Sequence, residues 1–410
     1  MAMGMNTNKW YPSIIGAGLA LGPIHNSFLT ELTSINATKY YPGDPYFFIP
    51  TFGYILLILG IGFFVLNNWI RVHKVGLGPS QIYIPLLIIV IAMGLTGITE
   101  NGLGARLAPL FSGVAFFTLY VVGRVLGKSI LFPMAIGAFI AILGIFAYSV
   151  VNPGVINGGY LFISHIYDDN WILLKKGTNY DISAGYILLA TSVFIHRYRP
   201  ILIVLGLIAM IISGSPEGIF AGGIFCLVII IRKDWHKKLL YAAIPIAILI
   251  SLWLSINNFT LLNYTKQIIT FKPLIAASGL PGEDVIGYRM NVIKKALINI
   301  KPFGEGYNLT NFGKMQNVHN VPLVLIQQMG YIGILAALAW LWVAIYCLIK
   351  TKWRYAWIMI LTLSIWDHFI WTQLGPWFWV IAGISSGPFI ISDRIFRIKK
   401  RRYEYKKALG

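Results

Sequence analysis

The sequence predicts an all-α, polytopic membrane protein of about twelve transmembrane helices with one large outer loop. Three observations carry that prediction. Of the 410 residues 57% are hydrophobic and only 11% charged, with a mean hydropathy of +0.72, which leaves too little polar surface for a soluble globule of this length. Apolar runs long enough, or nearly so, to cross a bilayer recur along the whole chain. Basic residues cluster in every second connection between those runs, as the positive-inside rule requires. The net charge of +19 is therefore read first as topology, and no nucleic acid is expected as a partner.

In chain order, the candidate spans are residues 10–29, 48–68, 81–98, 106–123, 129–151, 182–196, 200–213, 218–231, 239–256, 321–349, 355–372 and 376–392. The first, WYPSIIGAGLALGPI, contains Pro12 and Pro23 and reads as a weak first membrane helix rather than a cleavable targeting peptide. The runs between 182 and 231 are short, so helices there must tilt, extend into their flanks or re-enter. Cys226 and Cys347 both fall inside apolar runs and read as buried membrane cysteines, with no disulfide framework and no metal spacing. No metal and no cofactor are expected.

Arg71/Lys74, Arg124/Lys128, Arg197/Arg199, Arg232 to Lys238, Lys350/Lys352/Arg354 and the tail from Arg394 to Lys407 mark the cytoplasmic side. With Lys9 they hold 22 of the 33 basic residues, so both termini are expected in the cytoplasm and the protein in the cytoplasmic (inner) membrane. The basic tail is a topology anchor beside anionic lipid. This divides the chain into helices 1–9 over residues 1–256, an outer loop over 257–320, helices 10–12 over 321–392 and a cytoplasmic tail over 393–410. No internal repeat splits it into halves, which argues against a transporter built from repeated halves.

The loop 257–320 breaks the charge rule. It carries Lys266, Lys272, Arg289, Lys294, Lys295, Lys301 and Lys314 against Glu283, Asp284 and Glu305, on the side where basic residues are normally avoided. An anionic ligand or lipid headgroups on the outer face would account for them. Within the loop, Asp284 to Ile300 reads as a helix stopped by Pro302. Ile286, Met290, Val292, Ile293, Ala296, Leu297 and Ile300 fall on one side of it; Asp284, Asn291, Lys294, Lys295 and Asn299 fall on the other. Arg289 lies in the middle of the apolar side, where a guanidinium needs a partner: a phosphate or carboxylate held bidentately, a loop acid, or headgroups. Lys294 and Lys295 read as a solvated or headgroup-facing surface that can also meet an anionic substrate.

After the helix, IKPFGEGYN offers Gly304 and Gly306 for a close turn and displays Glu305 between them. His319-Asn320 immediately precedes the next apolar run, at the outer boundary, where a histidine of unperturbed pKa about 6.5 can accept a proton from a hydroxyl. Glu100 and Glu217 sit at outer helix ends, and Asp367-His368 lie about one turn inside the eleventh span. An ionisable residue within a span faces a cavity or a partner, which makes Asp367 the strongest single signal outside the loop. Trp366, Trp371, Trp377 and Trp379 are expected in an interfacial aromatic belt, or as platforms for sugar rings.

These features together resemble the O-antigen ligase and O-antigen polymerase superfamily of bacterial membrane glycosyltransferases. The resemblance rests on an Arg on a loop helix (Arg289), a Pro-x-x-Gly-x-Gly-like segment (Pro302-Phe-Gly304-Glu-Gly306), His319-Asn320 leading into a helix, and Gly330-Tyr-Ile-Gly333 within it. Asp367-His368-Phe-Ile-Trp-Thr is similar to a recurrent segment in relatives. The chain departs from the pattern at Ser213-Gly-Ser215-Pro-Glu217-Gly, which lacks a second Arg, and at Gln328, where an acid often stands.

The resemblance implies a GT-C-like membrane fold. It also implies transfer of a glycan from an undecaprenyl-diphosphate carrier to a sugar hydroxyl of a glycan or lipid-glycan acceptor. On that reading Arg289 binds the diphosphate, and His319 or Asp367 takes the proton. Lys294, Lys295, Asn320, His368, Glu217, Glu100 and Glu305 line the substrate site, and membrane lipids surround the spans. A polysaccharide polymerase of the same superfamily remains open. So does a different class, a transporter or flippase of lipid-linked or anionic solutes, and so does a noncatalytic membrane subunit.

Overall fold

A computed structural model describes residues 10–21, 56–66, 76–96, 103–139, 180–195, 198–213, 221–225, 293–294, 297–298, 300–304, 320–351, 353–366, 371 and 375–387. Among these the chain is all-α. The helices are α1 (Tyr11–Leu21), α2 (Leu56–Leu66), α3 (Ser80–Thr96), α4 (Leu103–Leu126), α5 (131–139), α6 (Tyr180–Phe194) and α7 (Arg199–Ser213). They continue with α8 (Val321–Met329), α9 (Tyr331–Lys350), α10 (Arg354–Trp366) and α11 (Gly375–Ser385).

Two stretches, Pro109–Phe139 and Tyr331–Lys350, are long and apolar enough to cross a membrane by length and composition. The first is not one straight rod. Gly127 has φ +58°, which a right-handed helix cannot contain, and a 3-10 turn over Gly127–Ile130 joins α4 to α5. The break falls between the expected spans 106–123 and 129–151. Helix α9 shows the pattern of a lipid-facing element most clearly. Gly333, Ala336, Ala337, Trp340, Val343, Ala344 and Cys347 are buried, while Tyr331, Leu335, Leu338, Trp342, Ile345 and Ile349 form an exposed apolar stripe along the opposite face. Ile84, Ile88, Ile91 and Leu95 repeat the pattern on α3.

The expected single span 321–349 is a correction. Gly330, with φ +65° and ψ −139°, divides it into α8 and α9, and the two halves fold back on each other so tightly that a Cβ on Gly333 would overlap the Leu325 carbonyl. The only proline of this apolar run, Pro322, sits at its start, so the run carries no signal for such a reversal beyond its glycines.

The core is built where small residues let backbones meet. A Cβ on Gly383 of α11 would overlap the Tyr120 carbonyl of α4, and one on Gly123 of α4 would overlap the Val380 carbonyl of α11. Helix α3 packs between α4 and α9, α10 touches both α9 and α6, and α6 packs along α7. The expectation for the tryptophans is overturned in part: Trp371, Trp377 and Trp379 are buried, as are Trp340 and Trp357, so they form neither an interfacial belt nor an open sugar platform. Phe116 stacks on Trp379 at 5.8 Å, and Phe378 stacks on Trp340 at 5.5 Å. The reason is that α11 is covered on one side by α4, through the glycine-mediated approach, and on the other by Trp340 of α9 and Trp357 of α10, which pack on Phe378.

The basic residues expected on the cytoplasmic side have structural work as well. Arg124, near the end of α4, donates from Nε to the Gly76 carbonyl at 3.0 Å and from a guanidinium nitrogen to the Ser386 carbonyl just past α11. Tyr120, one turn earlier, donates to the Leu77 carbonyl at 2.7 Å. Lys128 lies 4.9 Å from the Trp353 ring centre. Arg199 donates to the carbonyls of Ser192 and Val193, the last turn of α6. Helix ends are where carbonyls lack partners, so cations gather there.

Candidate functional site

At the opposite end of α9 and α10 the loop returns to the helices. Pro302 cannot continue a helix, and the segment Lys301–Gly304 closes as a turn in which the Gly304 N–H donates to the Lys301 carbonyl at 3.1 Å. Gly304 has φ +74°, and a Cβ there would strike the backbone of Gln328 and Gly330. Reciprocally, a Cβ on Gly330 would overlap the carbonyls of Lys301 and Pro302. The Tyr331 N–H donates to the Pro302 carbonyl at 3.1 Å, so a residue that begins α9 finds its acceptor in the turn. The glycines of the Pro-x-Gly segment and of the Gly-x-x-Gly segment therefore meet: each is required by the other.

Asn320 starts α8. Its backbone is extended at φ −164°, its Oδ1 accepts from the Leu323 N–H at 3.1 Å, and Pro322 occupies the first turn, where a missing N–H is harmless. Its Nδ2 donates to the Ile365 carbonyl at 3.0 Å. One amide thus caps α8 and ties it to the last turn of α10. Deeper in the same corner, Trp371 Nε1 donates to Gln328 Oε1 at 2.9 Å, both side chains being buried.

Of the residues expected to carry chemistry, two lie among those described. Asn320 is in the corner, as a helix cap with both amide groups engaged. Lys294 is exposed and helical next to Ile293, which packs partly against the core, so the inward and outward sides at these two positions are those expected. Leu297, expected on the apolar side, is half exposed. Arg289, His319, Asp367, Lys295, His368, Glu100, Glu217 and Glu305 lie outside the described residues. His319 directly precedes Asn320, and Asp367 follows the helix whose last carbonyls receive the Asn320 amide, so the sequence neighbours of both enter the corner.

Two participants were not singled out as functional from sequence. Gln328 was noted only as a departure, because nothing local pairs it with a tryptophan 43 positions on. The sequence marks Arg124 only as a cytoplasmic charge, because its composition signal is identical whether it faces headgroups or carbonyls. The corner that results is held by neutral caps and backbone contacts, with Lys301 exposed at its rim. Compared with known proteins, the chain matches no protein-family model and no curated protein.

Proposed function

We propose that the chain is a multi-pass membrane glycosyltransferase that passes a glycan from an undecaprenyl-diphosphate carrier to an acceptor sugar hydroxyl on the outer face of the cytoplasmic membrane. The observation that carries this reading is the seating of the Pro302–Gly304 turn on the Gly330 break, beside the capped Asn320, because separate segments of the resembled pattern converge in one corner. Arg124, Lys128, Trp353 and Ser386 gather at the other end of the bundle, which supports an orientation with the basic connections inside and the corner outside.

In the reaction, the acceptor hydroxyl oxygen bonds to the anomeric carbon as the bond from that carbon to the diphosphate oxygen breaks, leaving its electron pair on the phosphate. Arg289 and the loop lysines stabilise the departing charge. His319, or Asp367, takes the hydroxyl proton. The polyprenyl tail lies along exposed apolar faces such as that of α9. The test is reconstituted protein given lipid-linked oligosaccharide and a labelled acceptor. Transfer of label into a joined product is expected, with Arg289→Ala reducing it at least tenfold. Movement of unaltered lipid-linked substrate across vesicles, without joining, would instead identify a transporter. Full turnover by His319→Ala across pH 6–8 would remove His319 as the base and leave Asp367.

A further inference from the structure

Among the described residues, Gln328 holds a hydrogen-bond donor with no acceptor, beside the docked turn. An indole N–H donates and never accepts, so the bond from Trp371 Nε1 must end on the amide oxygen, and the orientation of the Gln328 amide is settled by chemistry. Its Nε2, with two N–H groups, is the end left over. Among the described residues none accepts from it. The indole nitrogens of Trp340, Trp377 and Trp379 are also without partners, but they are fully enclosed, whereas Gln328 Nε2 is not among such sealed atoms. Gln328 itself is only 6% exposed, and its backbone is the surface against which Gly304 rests.

We propose that Gln328 is a substrate-binding residue that selects the glycan: its Nε2 donates to a neutral oxygen, a hydroxyl or an amide carbonyl, on the sugar portion of the lipid-linked donor. This rests on the glycosyltransferase reading of the corner. A neutral amide is poorly matched to a diphosphate, whose charge calls for cations. It is well matched to a sugar oxygen, since a site built around a hydrogen bond rejects ligands that cannot complete it. Trp371 is the positioning residue that keeps the amide from rotating.

The experiment compares binding of two probes to protein in nanodiscs: undecaprenyl diphosphate alone, and the same lipid bearing an oligosaccharide that contains N-acetylhexosamine. Gln328→Met keeps the side chain's length without its polar atoms. Its affinity for the glycan-bearing lipid is expected to fall about 3- to 10-fold while that for the bare lipid stays at the wild-type value. An unchanged affinity for the glycan-bearing lipid, or an equal fall for both lipids, overturns the assignment. So does a wild-type protein with no preference for the glycan.

Because Met strands the Trp371 N–H, the double variant Gln328→Met/Trp371→Phe removes both partners. Its thermal midpoint should return toward wild type while the glycan preference stays lost; recovery of the preference would overturn the proposal. Glycan binding by the wild type without transfer to an acceptor would discard the glycosyltransferase reading and leave the Gln328 assignment standing. Transfer with unaltered preference in both variants would do the reverse.

Discussion

At the Arg124 end of the bundle one guanidinium collects carbonyls from residues 76 and 386, segments far apart in sequence, and spends a charge to do so. At the Gly330 end the chain segments are joined by glycines that let backbones touch and by amides that cap helices, with no charged side chain among the described bonds. The difference teaches what each end is for. A buried cation bonded to carbonyls of two distant segments serves as a lock. The neutral amides at the Gly330 end place no charge there, and one of them, Gln328, has an Nε2 that no described residue accepts from.

The largest effect on that contrast should come from Arg124→Met, which strands carbonyls of two segments at once. We expect a loss of about 3 kcal/mol, read as a lowered thermal midpoint in detergent. Transfer activity per folded molecule should be unchanged; a selective loss of activity at full stability would break the view of this end as a lock.

Gly304→Ala comes next. It forces a side chain into a positive-φ position against backbone, at about 1–3 kcal/mol, and the turn can escape by undocking. The global midpoint should therefore fall less than for Arg124→Met, while the 301–304 segment becomes sensitive to protease and transfer falls at least tenfold. Wild-type protease resistance with normal transfer would show that the turn does not need its seat.

Asn320→Ala removes a helix cap worth about 1 kcal/mol together with the tie to Ile365. Faster amide hydrogen exchange in the first turn of α8 is the expected readout, and Asn320→Asp should restore the cap while leaving the Ile365 carbonyl without its donor. The smallest effect is expected from Lys128→Met, about 0.5–1 kcal/mol from the cation over Trp353, and because Lys128 is exposed the difference should shrink at high salt.

Much of this was legible beforehand where the cause is local. The apolar run that begins right after His319-Asn320 announces a helix start, and the structure adds that Asn320 caps it by accepting from an N–H three residues on. Pro302 and Gly304 announce a turn for the same kind of reason: a locked φ, a missing donor and an absent Cβ act within a few residues. Trp377 and Trp379 were misread because an aromatic near the end of an apolar run suits an interface and a core equally well; only the approach of Gly123 and Gly383 decides for the core.

By itself, then, the order of amino acids determined an all-α, apolar chain, the start of α8, the turn at residues 301–304 and the basic connections at alternate ends of the runs. Each depends on periodicity, composition or a single residue's backbone preference. The tertiary structure decided that Gly304 meets Gly330, that Gln328 meets Trp371, that Arg124 turns inward to carbonyls and that a 29-residue run reverses at its tenth position. Those are contacts between distant segments, and their energy exists only once the helices have packed; no local preference encodes which carbonyl a guanidinium, or which indole an amide, will find.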